Sequence, residues 1–221
     1  MPQTSPGRIS YRAPMTVASR WTIRPPRFSD VPGVYRVCFE TGYSAEEMTS
    51  LRPTPELLGH VWAGPYLAFS LDWCRVIVDR LGVAGYLVAT PSTDAFAAWA
   101  EEAWWPPLRA EHPNDDPGLS PADRHVADLL ASPIVAPAGV VATCPAHLHI
   151  AFLERARGHG FARTLIDDLC DRLAAADVPG VHLGVSELNT NGIGVYRHLG
   201  FTELDREPGT IWMSRSTNAL P

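Results

Sequence analysis

The sequence predicts one α/β domain built on a mixed sheet. Three observations carry this. Short apolar runs rich in Val, Ile, Leu and Thr recur along 221 residues. Several of them are separated by segments in which apolar residues return every three or four positions. Some runs follow one another directly as hairpins, while others are separated by a helix, which mixes antiparallel with parallel pairing. The chain is long enough to bury a core without disulfides or metal. Its 46% apolar and 19% charged residues exclude disorder of the whole chain. No stretch approaches the ~18 uninterrupted apolar residues of a membrane span. The net charge of −6 argues against a nucleic-acid partner, which favours a basic face.

Residues 1–19 are rich in Pro, Ser, Gly and Arg, have no periodicity, and read as a disordered leader. They lack the apolar core of a secretory signal. The domain is expected over 20–215, with a tail at 216–221. Trp21–Arg24 is a short strand ended by Pro25-Pro26. Ser29 or Asp30 can cap a helix that carries Val31, Val34, Val37 and Cys38 on one face. Glu46, Glu47 and Met48 suggest a second, short helix. Trp73–Val78 and Val83–Thr90 flank the turn Asp79-Arg80-Leu81-Gly82 and read as a hairpin. Residues 93–105 are Ala- and Trp-rich and helical, with Pro106-Pro107 expected to stop them. Ser120 caps a helix to about Ala131, with proline at its first position. Residues 133–146 read as an irregular connector.

The last third is the most regular. His147–Leu153 is a strand, and His147 and His149 point to one side of it. After a turn with two glycines, Phe161, Leu165, Leu169 and Leu173 mark one face of a helix ending near Asp177. Val181–Val185 is a strand, 189–199 a helix stopped by Gly200, and Phe201–Leu204 with Thr210–Ser214 a closing strand pair.

All 18 basic residues are Arg, so no lysine is available as a base or Schiff-base former. Cys38, Cys74, Cys144 and Cys170 match no zinc or redox spacing, and no metal site is expected. They read as free thiols of a reducing compartment, here the cytoplasm.

Chemistry concentrates in Arg155-Ala156-Arg157-Gly158-His159-Gly160-Phe161-Ala162, between a strand and a helix. The opening turn of a helix leaves about four N–H groups unpaired and adds the positive end of its dipole. Two glycines permit positive φ and close approach of a ligand. The product is a cradle for phosphate oxygens, to which Arg155 or Arg157 can add charge. A nucleotide P-loop would need a Gly-Lys-Ser/Thr ending, and a dinucleotide fingerprint would need a third glycine near an early strand.

The pattern Arg-x-x-Gly-x-Gly resembles the pyrophosphate loop of the GNAT superfamily of N-acetyltransferases. Asn189-Thr190-Asn191-Gly192-Ile193-Gly194-Val195-Tyr196-Arg197-His198-Leu199-Gly200-Phe201 resembles that family's later motif: Asn, a small residue three on, Tyr seven on, then Leu-Gly-Phe. The resemblance runs from about Trp21 to Arg215 and is specific across 147–204. It implies a GNAT fold: a mostly antiparallel sheet with one splayed strand pair, flanked by helices. It implies acetyl-CoA as cofactor and direct attack of an amine on the thioester. Carried over, the backbone of Phe152 and Leu153 would pair with the pantetheine arm, and the amides from Arg157 through Gly158, His159, Gly160 and Phe161 to Ala162 would hold the pyrophosphate. Asn189 would bond the arm or cap its helix, and Tyr196 would serve the leaving thiolate. His149 is the first candidate base, ahead of His147, Glu154 and Glu187. Trp99, Trp104 and Trp105 would line the acceptor site or fill the core. Within the family, Gly85-Tyr86, Trp104–Leu108 and the insertion before His147 resemble the acetyltransferase-like domain of eukaryotic O-GlcNAc hydrolases. A carboxylate proposed for that group falls at Ala151, which leaves open a CoA-binding module without transfer. The expected partner is an amine acceptor, with no nucleic acid or membrane, on a monomer or homodimer.

Overall fold

A computed structural model describes residues 20–42 and 54–217. The leader 1–19, the suggested helix at Glu46–Met48 and the last four residues of the tail lie outside the described residues. Among the described residues seven strands form one sheet: β1 (Thr22–Arg24), β2 (Arg75–Asp79), β3 (Gly82–Thr90), β4 (Ala146–Phe152), β5 (Gly180–Ser186), β6 (Thr202–Glu207) and β7 (Thr210–Ser216), ordered β1-β2-β3-β4-β5-β7-β6. Every neighbouring pair is antiparallel except β4 and β5. That parallel pair holds only at Ala146 opposite Val181 and His147 opposite His182. Beyond those two rungs the strands part, which is the splayed pair the family resemblance implies.

The helices are α1 (Val31–Thr41), α2 (Pro55–Trp62), α3 (Gly64–Phe69), α4 (Thr93–Trp99), α5 (Trp105–Glu111), α6 (Pro121–Ala131), α7 (Ala138–Thr143), α8 (Phe161–Ala175) and α9 (Thr190–His198). The sheet separates two apolar clusters. On one face Val34 and Val37 of α1, Leu57 and Leu58 of α2, Trp105 of α5 and Leu130 of α6 pack on Val76, Tyr86 and Val88. On the other, α8 buries Leu165, Ile166, Leu169 and Leu173 against Leu87, Leu148, Val181 and Leu183. The four-residue spacing read along α8 is therefore its core face.

Ser120 caps α6 as expected, its Oγ accepting from the Asp123 N–H at 3.0 Å. The Pro106-Pro107 expectation is corrected. The prolines do not end the helical run. A π-turn over Ala100–Trp104 links α4 to α5, and the Trp105 N–H donates to the Ala100 carbonyl. Pro106 has no N–H and its ring would strike the carbonyl four residues back, so the turn widens by one residue and the helix resumes. The connector expected at 133–146 contains α7, whose Val140 packs on Trp212. All four cysteines are buried and unpaired in disulfides.

Candidate active site

The antiparallel register of β3 with β4 fixes what faces the gap. The Leu153 N–H donates to the Ala84 carbonyl at 2.8 Å. Residues of an antiparallel strand alternate in the edge to which they turn their N–H and C=O. His149 and Ala151 therefore face β3, and Ile150 and Phe152 turn theirs toward the gap left by β5. The Leu153 carbonyl is also taken, by the Ala156 N–H at 2.9 Å. The expectation that Leu153 pairs with the pantetheine is thus corrected: its main chain is committed, and the open groups are those of Ile150 and the Phe152 N–H, the Phe152 carbonyl being held by Arg157. Gly85 makes room for this edge, since a Cβ there would lie 2.5 Å from the Phe152 ring and 3.0 Å from the Ala151 carbonyl.

Beyond β4, Gly158 and Gly160 have φ of 76° and 77°, a left-handed conformation that favours glycine. No atom approaches within 4 Å of where their Cβ atoms would stand. Among the described residues, the N–H groups of Gly158, His159, Gly160, Phe161, Ala162 and Arg163 have no acceptor in the protein. That open row of donors at the start of α8 suits a diphosphate. The Arg157 N–H is different, because it donates to the Glu154 carbonyl at 3.0 Å. Arg157 offers its guanidinium instead; only Nε is engaged, with the Phe152 carbonyl at 3.2 Å. Arg155 serves the loop from behind, bonded to the buried Asp79 carboxylate at 3.1 Å and to the Val83 carbonyl at 3.1 Å. The His159 ring is packed beside Trp21, with centroids 5.5 Å apart, so at this position the main chain faces the cradle.

This cradle opens on a cavity of about 420 Å³ lined by Ile150, Phe152, Arg157, Gly158, Gly160 and Tyr196 among others. Asn189 does not line it. It caps α9, its Oδ1 accepting from the Gly192 N–H at 2.8 Å, so the capping half of its expectation is what the structure holds. Tyr196 is half-buried, and burial pushes its phenol up to about 12. Among the described residues its hydroxyl has no hydrogen-bond partner.

A second cavity, about 430 Å³, lies beside the first and takes in the gap between the diverging strands. His149 lines this one and Ile150 the other, so consecutive residues of β4 wall the two cavities. Trp105 lines the second cavity. Trp99 and Trp104 pack against the core instead, with the Trp104 Nε1–H donating to the His60 carbonyl at 2.9 Å. Trp62, on a helix the sequence did not reveal, stacks edge-on to His149 at 5.0 Å. His182 of β5 also lines the cavity, held by the Cys144 carbonyl at 2.6 Å. Glu154 and Glu187 line neither cavity.

His147 and His149 share a strand face, yet their surroundings differ. Thr93 Oγ1 donates to the Pro145 carbonyl at 2.8 Å, so at its 2.7 Å contact with His147 it accepts from Nδ1–H. Nε2 is then the acceptor of the Tyr66 hydroxyl, also at 2.7 Å. His147 is thereby fixed as a neutral ring with both nitrogens used, and burial holds it well below the ordinary histidine range. Among the described residues neither nitrogen of His149 is bonded. Burial, with His182 nearby, pushes His149 down to about 4, so it is neutral and open at pH 7.

Residues 75–201 match the acetyltransferase (GNAT) family. The chain belongs to that family. Protein O-GlcNAcase of Rattus norvegicus is 26% identical over 199 residues, which cover 89% of this chain and 22% of that protein. The same holds for the Mus musculus protein. The chain thus spans about a fifth of the length of the curated relatives it matches. The crystal structure of SsHAT superposes with a TM-score of 0.80 at 28% identity, over 90% of this chain and 99% of that one. The PaiA N-acetyltransferase from Thermoplasma acidophilum, solved in complex with coenzyme A, matches at TM-score 0.54 and 12% identity over 89% and 98%, a likeness of fold. No helix among the described residues of this GNAT protein is long and apolar enough to cross a membrane.

Proposed function

We propose that this GNAT protein transfers an acetyl group from acetyl-CoA to a primary amine by direct attack. The observation that carries the reading is that consecutive residues of β4, His149 and Ile150, wall two cavities. One holds a phosphate cradle and a tyrosine, the other an unbonded histidine. The amides of Gly158–Ala162 and the Arg157 guanidinium would hold the diphosphate, and the gap-facing groups of Ile150 and Phe152 the pantetheine. Acetyl-CoA supplies an activated acyl thioester. The Ile150 N–H is aimed at the gap, where negative charge grows on the acyl oxygen during attack. His149 takes the proton of the attacking nitrogen. Tyr196 donates a hydrogen bond to the departing sulfur. A thiol near ~8.5 against a phenol at about 12 puts full proton transfer uphill by about 5 kcal/mol, so the tyrosine holds its proton and water completes the exchange.

Release of the CoA thiol across an amine panel tests this. Burial pushes all four protein thiols up, Cys38 to about 11 and Cys74 to about 12, which disfavours their reactive thiolate forms in this assay. A second reading, a CoA-binding module without transfer, is favoured by one residue. Ala151 stands where a carboxylate is proposed in the O-GlcNAcase-like group. Calorimetric binding of acetyl-CoA with no thiol release from any amine would select it. The free buried cysteines support a reducing, cytoplasmic setting.

A further inference from the structure

The cavity on the acceptor side has a one-sided chemistry. Its wall is built from Trp62, Phe96, Trp105, Leu129, Val135 and Trp212 with further aliphatic groups. Its single lining acid among the described residues is Glu101, and that carboxylate is already taken. Arg109 donates to both its oxygens, at 2.8 and 2.9 Å. The lining histidines add no negative charge: His147 has both nitrogens bonded, His182 donates to Cys144, and His149 is neutral. An alkylammonium entering this space would lose its hydration and meet a single carboxylate, one already ion-paired to Arg109.

We infer that the acceptor is a weakly basic aromatic amine, a flat apolar body bearing an NH2 group that is uncharged at neutral pH, rather than an alkylammonium, a polyamine or a lysine side chain. The inference rests on the transferase reading and narrows it. Such a nitrogen reaches the site with its lone pair free, so no proton must leave before attack. The lone pair forms the N–C bond to the acyl carbon. The C–S bond breaks with its pair going to sulfur. The excess proton passes from nitrogen to a ring nitrogen of His149, while sulfur is protonated from water under the Tyr196 hydrogen bond. An aromatic nitrogen that has acquired positive charge is strongly acidic, so the weakly basic His149 suffices. Against an alkylammonium near ~10.4 the same ring falls short by about six pK units.

Two isomers of equal size test this on the whole protein at pH 7.5: 4-ethylaniline, and 4-methylbenzylamine, which is charged. Spermidine and a lysine-containing peptide complete the panel. Binding is followed without acetyl-CoA through the fluorescence of the cavity tryptophans, and turnover through thiol release and the mass of the amide. We expect 4-ethylaniline to bind at least tenfold more tightly than its isomer and to exceed it at least tenfold in kcat/KM. Equal or better performance by 4-methylbenzylamine, spermidine or the peptide overturns the inference alone, as does failure of all four to bind. Failure of acetyl-CoA itself to bind in calorimetry overturns the transferase reading and this inference with it. Arg109→Met gives an independent arm by freeing Glu101. A folded R109M protein should bind 4-methylbenzylamine several-fold more tightly, and an unchanged affinity contradicts the charge argument. Should R109M not fold, the wild-type comparison decides.

Discussion

Tyr196 and His149 divide the proposed chemistry, and each has a test that separates it from packing. Tyr196→Phe removes one hydroxyl that has no partner among the described residues, so folding and acetyl-CoA affinity should hold. Turnover should fall roughly 10- to 100-fold. Retention of full turnover on a true acceptor would remove Tyr196 from the mechanism. His149→Gln should lower kcat/KM on the best acceptor by a similar factor and leave acetyl-CoA binding intact. Because His149 sits at about 4 and Tyr196 at about 12, both keep their working protonation states from about pH 5 to pH 10. A pH–rate profile with an acceptor that stays uncharged should be flat across that span, and a step near pH 7 would assign the base elsewhere. The sequence motif pointed to Tyr196, and the period of two put His147 with His149. What separates the two histidines comes from α4 and α3, through Thr93 and Tyr66, at chain separations of 54 and 81 residues. No local pattern carries such distances.

At the scale of elements, the cradle is a loop tied down at its back. Arg155 links it to Asp79 at the end of β2 and to Val83 of β3. Arg155→Ala should weaken acetyl-CoA binding at least several-fold by freeing the loop, even though Arg155 is turned toward the hairpin. Gly160→Ala places a Cβ in a left-handed conformation, at a cost of roughly 1–2 kcal/mol. Acetyl-CoA affinity should fall roughly 5- to 30-fold, read by calorimetry, as the loop relaxes away from positive φ. The strand–glycine–helix order made this cradle legible without coordinates. The neighbouring elements were not. In α2 and α3 the apolar positions are broken up by Gly59, Gly64, Pro55 and Pro65, which read as punctuation. There Gly59 and Gly64 instead admit the Tyr35 ring, whose atoms would lie 2.3 and 2.2 Å from an added Cβ. The π-turn before Pro106 was equally hidden, since proline signals a break and not how the chain resolves it. Trp105, which that turn delivers to the acceptor cavity, marks the consequence.

Across the whole molecule, the sheet sets the site by coming apart. Two rungs of β4–β5 pairing hold the halves together, and the same divergence leaves Ile150 and the Phe152 N–H without a strand partner on one edge. Element types and the splayed sheet were legible from the motifs. The exact point of parting depends on register, which side-chain patterns do not encode. The histidines also give the fold a pH dependence. Burial lowers His147, His149 and His182 below their ordinary values. The unfolded chain takes up protons at these positions from about pH 6.5 downward, while the folded chain resists to lower pH. Stability should therefore be fully present above about pH 6.5 and be lost progressively toward pH 4. Thermal unfolding from pH 8 to pH 4.5 should show a falling Tm. In a His149→Phe variant, chosen to keep the ring and remove the charge, the fall should be shallower.

The most direct measurement is a crystal structure with coenzyme A bound. The diphosphate should lie within hydrogen-bond distance of the Gly158–Ala162 amides, with the sulfur between Tyr196 and the Ile150 N–H. Coenzyme A seated elsewhere, or that row of amides turned away from the ligand and bonded to protein carbonyls, would contradict it.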